Sequence, residues 1–397
     1  MKRMLPHVAA LGAGLMIIAG SCSRQNEATL TESGLDPAKF AGEYNGKPTA
    51  LYTLANSNGM EACITNFGGR IVSLMVPDRD GQPRDVVLGF DSIAAYFPEN
   101  NQTDFSAAIG RYANRINQGR FVIDGDTIQL PTNNFGHCLH GGPTGWQYQV
   151  YDAEQPNDST VVLTMHSPDG DNNFPGNVTA KVTYTLTSDN RLDIAYEAVT
   201  DKPTVINMTN HAYFNLNGDP LQSITDNELY VNASTYTPVD STYMTTGEIL
   251  PVAGTPMDFT SLRVIGERIN ETDFEQIRNG NGYDHNWVLD TKNDITVPAA
   301  TLQSPSTGIV LDVYTDEPGI QVYSGNFLDG TVTGKNNKVY NQRTGICLET
   351  QHYPDSPNKT RMAVDSPPSR RDIQEPHRIR VFNRQEITVS VINSDLL

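Results

Sequence analysis

Between positions 178 and 198 apolar side chains recur at every second residue: Val178, Ala180, Val182, Tyr184 and Leu186, then Leu192, Ile194, Tyr196 and Ala198, with polar residues at 188–190 between the two runs. A period of two places one set of side chains on one face of a strand, so two such runs joined by a short polar segment predict an antiparallel hairpin with one buried face. A second hairpin is predicted where Asp124-Gly125 separates Phe121 and Ile123 from Ile128 and Leu130, because this dipeptide suits a two-residue turn. Helical periodicity is short and rare, around 91–97 and 273–278, while 32 Gly and 24 Pro punctuate the chain. The expected class is therefore all-β, a large antiparallel sandwich with few short helices. No repeat and no long internal polar linker divides it.

The first residues read as a processing signal. Lys2 and Arg3 supply positive charge, and the apolar stretch at 8–20 is too short to cross a bilayer as a mature helix. Ile18-Ala19-Gly20-Ser21-Cys22 places small residues before a cysteine, in the manner of a bacterial lipobox. The expectation is a leader over 1–22 with Cys22 as the lipid-bearing N-terminus, a polar tether over 23–32, and a domain over 33–397. An ordinary secretory signal cleaved nearby is the alternative. Either implies export, and the lipobox implies membrane anchoring in the periplasm or at the cell surface. Cys63, Cys138 and Cys347 lie far apart without metal-type spacing, so they are expected to be buried small hydrophobes, with one bridge left open. A formal charge of −18 argues against nucleic-acid partners, which require clustered cations.

Chemistry is concentrated in a few segments. TNHAYFNLNG at 209–218 sets His211 among amides and aromatics, which suits a proton donor, though a core histidine bonded to Asn210 or Asn215 is the plainer reading. Glu349 ends the apolar run Gly345-Ile346-Cys347-Leu348-Glu349, which predicts a buried strand delivering one carboxylate; a strand-end glutamate facing solvent is an equal alternative. GRYANRI at 110–116 contains Asn114 and Arg115, LHGG at 139–142 contains His140, GYDHN at 282–286 contains Asp284, and GIQVYSGNFLDGT at 319–331 contains Gln321. Two metal readings fail on spacing. His137 and His140, three apart, point to opposite faces of a strand, and Asp78-Arg79-Asp80-Gly81 lacks the distal glutamate of a calcium loop, so a hairpin turn is expected there.

In order and spacing these segments, with CLETQHYPD at 347–355, resemble the aldose 1-epimerases, or galactose mutarotases, from about Leu35 to Asp355. The resemblance implies a twisted β-supersandwich with a cleft on one face, and interconversion of the α and β anomers of a free aldose such as galactose or glucose. It implies Glu349 as the base on the C1 hydroxyl, His211 as the acid on the ring oxygen, and Asn114, Arg115, His140, Asp284 and Gln321 as sugar-binding residues. Ring opening and reclosure need one base and one acid, so neither cofactor nor metal is expected. Ordinary values of roughly 4.3 for Glu and 6.5 for His suit these roles, with His211 expected to be moved upward by a nearby carboxylate. Two departures from the family pattern stand out: Cys138 beside LHGG, and everything after Asn358, which leaves the terminal strand pairing open. Competing readings are a non-catalytic sugar-binding protein, a glycoside-processing enzyme using Asp284 and Glu349, and a hexose-phosphate epimerase, which would need cations beyond Arg115. The preferred aldose and the oligomeric state are not legible.

Overall fold

The computed structural model describes residues 30–359 and 379–391; the leader with Cys22, the start of the tether and the Pro367-Pro368 stretch lie outside the described residues. Nine antiparallel strands form the largest sheet, in the order Asp152–Asn157, Thr160–Ser167, Val178–Leu186, Arg191–Thr200, Ile379–Val391, Ile309–Thr315, Ala300–Gln303, Glu228–Val231 and Arg263–Val264. The first predicted hairpin is its centre, paired from Val178↔Thr200 to Leu186↔Leu192, with buried residues at every second position of both strands.

The segment that departs from the family pattern returns as a central strand. Ile379–Val391 pairs with Arg191–Thr200 on one side and Ile309–Thr315 on the other. Its alternating Ile387 and Val389 are buried with the sandwich core.

A six-stranded sheet carries the polar cleft, in the order Tyr213–Phe214, Ile346–Gln351, Gly319–Tyr323, Asp284–Val288, Thr235–Thr237 and Leu250–Pro251. A four-stranded sheet, Leu51–Ala55, Glu61–Thr65, Arg70–Pro77 and Pro83–Asp85, completes the frame. One core cluster joins Val182, Tyr184 and Ile194 of the large sheet to Ile64 and Leu74 of the small one and to Trp287, Ile320, Val322 and Leu348 of the cleft sheet. Burying each such side chain is worth about 1.5–3 kcal/mol. Because successive side chains alternate, packing Ile346 and Leu348 inward forces Cys347, Glu349 and Gln351 onto the opposite face.

Smaller elements follow the local reading. Asp124 and Gly125 both adopt left-handed φ, 52° and 92°, in the turn between Arg120–Ile123 and Asp126–Gln129. Asp78 Oδ1 accepts the N–H groups of Asp80 and Gln82 in the turn between Arg70–Pro77 and Pro83–Asp85, a hairpin rather than an ion loop. The two helical signals are a 3₁₀ turn at Ile93–Tyr96 and an α-helix at Glu275–Gly280. Cys63, Cys138 and Cys347 are free and buried.

Candidate active site

Strand register builds one wall of the site. Tyr213 pairs with Cys347, Cys347 with Tyr323, and Tyr323 with Asp284, while Glu349 pairs with Gln321 and Gln321 with Asn286. Directly opposed residues share a face and lie about 5 Å apart at Cβ, so the register lays down an aromatic-acidic row beside a polar row. Within them Gln321 Nε2 donates to Asp284 Oδ1 at 2.7 Å, and Gln351 Nε2 donates to Asn286 Oδ1 at 3.2 Å and to Gln321 Oε1 at 3.4 Å. Gln321 is thus engaged at both ends and orients Asp284.

Loops from the other side bring the histidines in. The short strand Thr209–Asn210 pairs with Ala108–Ile109, and reciprocal backbone bonds, Ser106 N–H to His211 O and His211 N–H to Ala107 O, continue this ladder to His211. His211 Nε2 lies 3.6 Å from Glu349 Oε1, and its Nδ1 lies 3.4 Å from Cys347 Sγ. The ring stacks on Tyr213 at 5.1 Å and meets His140 edge-on at 5.2 Å. Asn210 and Asn215 bond elsewhere, to Ser106 O and Tyr184 Oη and to Asp219, Gln222 and Thr344 carbonyls, so His211 is not the satisfied core histidine that was the plainer reading.

His140 sits in a left-handed turn closed by Gly142 N–H to Leu139 O, with φ 50° at His140 and 79° at Gly141. A Cβ on Gly141 would fall 2.2 Å from Gly110 O, so only glycine permits this approach. Asn114 N–H donates to His140 Nδ1 at 3.2 Å, which leaves the neutral ring's proton on Nε2. Burial, then the neighbouring His211 and Arg115, hold His140 well below its ordinary range, so it is a neutral donor. His137 points away, accepting from Gln118 N–H and contacting Thr242 Oγ1, so the two histidines diverge as expected.

Arg115 Nε and Nη2 both donate to Asn134 Oδ1, at 3.2 and 2.8 Å, and its guanidinium lies 5.1 Å over the Tyr243 ring. That leaves Nη1 outside this fork. Asn114 serves Arg115 as well, its Oδ1 accepting the Arg115 N–H at 2.8 Å.

Glu349 is 2% exposed, with no partner for Oε2 among the described residues. Burial, then the negative charges of Asp284 and Asp104, raise it well above the ordinary carboxylate range, opposed by Arg115. Asp284 is raised too, chiefly by burial, with Arg115 and Gln321 opposing. The expected upward move of His211 is corrected here. Burial lowers it, and the upward pull of Asp104 does not offset that. Both members of the pair are therefore pushed toward their neutral forms, carboxyl and imidazole.

Asp104, Asn286, Gln351, Asn134 and Tyr243 were not named as site residues from the sequence, and Cys347 was read only as a buried small hydrophobe. Cys347, Gln351 and Asn286 stand two residues from Glu349 or Asp284, a strand-period signal that was available; Asp104, Asn134 and Tyr243 come from loops with no such signal. Two groups share His211 with ligand-type atoms within 4.8 Å: Asp104 with His140 and His211, and His211 with Cys347 and Glu349. A metal-bound imidazole presents a bare nitrogen and donates from the other. His140 does the reverse, and Cys347 and Glu349 meet different nitrogens of His211. The donor chemistry suits proton transfer.

The family model described as Aldose 1-epimerase matches residues 50–366. The chain is 39% identical to an aldose 1-epimerase of Escherichia coli K12 over 314 residues, 79% of this chain and 89% of that one. It is 41% identical to a human galactose mutarotase over 298 residues, 75% of this chain and 84% of the other. Among solved structures, a galactose 1-epimerase from Lactobacillus acidophilus superposes with a TM-score of 0.75 at 29% identity, covering 88% of this chain and 97% of that one. An aldose epimerase homologue from C. elegans gives 0.77 at 27% identity, covering 87% of this chain and 100% of that one. With its six-stranded polar wall inside an antiparallel supersandwich, this chain belongs to the aldose 1-epimerase family.

Proposed function

We propose that this epimerase interconverts the anomers of a free aldose by proton transfer between the sugar and the Glu349–His211 pair. The observation that carries the reading is the buried contact of 3.6 Å between His211 Nε2 and Glu349 Oε1, with Glu349 Oε2 open. Glu349 takes the C1 hydroxyl proton as electrons move to form the C1 aldehyde, the C1–O5 bond breaks, and His211 delivers its proton to O5. Rotation about C1–C2 exposes the other face, and closure returns both protons. Protons are conserved over the cycle, so no cofactor is required. The pair is productive when its one proton sits on His211, the form that burial disfavours, and its limbs against pH are properties of the pair.

Arg115 and Asp284 supply opposite charges for sugar hydroxyls, with Asn134 and Gln321 fixing their geometry, and His140 Nε2–H is a further donor. A hexose-phosphate substrate is less well served. The buried Arg70 and Arg111 already donate to backbone carbonyls.

Polarimetry on freshly dissolved pure anomers of galactose, glucose, xylose and arabinose tests the activity; equilibration no faster than without protein would refute it. We also propose, from Ala19-Gly20-Ser21-Cys22, that the domain is held at a membrane through lipid on Cys22. A single acyl chain binds only marginally, so anchoring requires more than one. A Cys22→Ser variant should leave the membrane fraction, and full retention in the pellet would remove the anchor.

A further inference from the structure

Asp104 belongs to none of the segments that carry the family resemblance, yet its carboxylate lies within 4.8 Å of the ligand-type nitrogens of both His140 and His211. The backbone around it is fixed from three directions. Buried Arg70 donates through Nη1 to the carbonyls on either side, Thr103 O at 3.1 Å and Phe105 O at 3.0 Å, and through Nη2 to Gln147 O at 2.8 Å. Ala107 N–H closes a turn onto Asp104 O, in which Ser106 takes a left-handed φ of 54°. Ser106 and Ala107 then exchange backbone bonds with His211 itself. The Asp104 side chain accepts from Tyr148 Oη at 3.3 Å and is only partly buried.

We infer that Asp104 is a positioning residue for the proton-transfer pair, its negative charge favouring a proton on His211 beside the sugar ring oxygen. The inference rests on the roles proposed for His211 and Glu349. His211 is faced by Cys347 and Glu349 from the cleft sheet, by the rings of Tyr213 and Tyr323, by His140, and by the Arg70 charge from the four-stranded sheet. Among these, Glu349 loses its charge when it takes the C1 proton. Asp104 meets His211 in company with His140, in a group apart from the one that holds Cys347 and Glu349. Burial and Arg70 both favour loss of the His211 proton, and Asp104 opposes them. It acts in the same direction on Glu349, more weakly than Asp284. Its net effect is to keep one proton in the pair as pH rises.

The test is the pH dependence of kcat for Asp104→Asn, which preserves shape and removes charge. Removing a negative charge eases proton loss, so the alkaline limb should move to lower pH by roughly 1–3 pH units, the range for a charge 4–6 Å away. KM should change little, and Asp104→Glu should restore part of the limb. Tyr148→Phe, which removes the hydrogen bond and keeps the charge, should leave the limb in place. Nitrogen NMR titration of His211 in an inactive Glu349→Gln background, with and without Asp104→Asn, reads the same effect without turnover. It decides on Asp104 even if the parent fails the polarimetric assay. An unmoved limb and unmoved His211 titration would overturn the inference; an unmoved limb with raised KM would make Asp104 a sugar contact instead.

Discussion

Replacing Glu349 by Gln separates function from stability, because the two should move in opposite directions. The side chain is 2% exposed, and the amide keeps its shape while removing the proton acceptor. A positioned proton-transfer group contributes about 10²- to 10⁴-fold, or roughly 2.7–5.4 kcal/mol at 1.36 kcal/mol per tenfold. Loss of kcat of that order is expected, with KM little changed. Stability follows from the direction of the Glu349 titration. In the folded state its value stands well above 4.5, so between 4.5 and that value the fold holds a proton that the unfolded chain has lost. An acid displaced upward makes stability fall as pH rises through this window, by about 1.4 kcal/mol for each pH unit of displacement. The Gln variant lacks this penalty. It should equal the parent below 4.5 and melt at higher temperature as pH rises above it. Polarimetry and thermal melts at two pH values measure both. Near-parent mutarotation would refute the base assignment and make Asp284 the next candidate. Lost activity with a lowered melting temperature at every pH would refute the burial argument.

His211→Asn should lower kcat by a comparable 10²- to 10⁴-fold, checked with the same anomers; parent-like turnover would remove it as the acid. Arg115→Ala removes a charged donor already oriented by Asn134, so kcat/KM should fall roughly 10- to 150-fold, equivalent to about 1.5–3 kcal/mol, with an unchanged circular dichroism spectrum. Unchanged kinetics across all sugars would remove Arg115 from the site.

Strands and hairpins were legible where one face meets the core, because burial writes its period into the sequence. The runs around Val182 and Ile194 became paired strands in register, and Gly345-Ile346-Cys347-Leu348 became the strand delivering Glu349. The terminal strand was not legible from family likeness, although Ile387 and Val389 carried the same period. Motifs yielded the chemical residues one segment at a time. They could not yield partnerships across strands, which depend on register between positions far apart: Gln321 lies beside Glu349 only because Gly319–Tyr323 and Ile346–Gln351 pair as they do.

The misread His211 titration has the same origin. A neighbouring carboxylate was foreseeable from chemistry, since ring opening needs an acid beside a base. Its effect was not, because the sign depends on how far burial counters it, and burial is set by the whole enclosure. Tyr213, Tyr323 and His140 wall the ring in from three segments, and Arg70 adds a positive charge through the loop it clamps. An enclosure dry enough to strengthen proton transfer also disfavours the charged acid. A second carboxylate outside the reacting pair partly eases that conflict without joining the transfer, and Asp104 stands where such a group is needed.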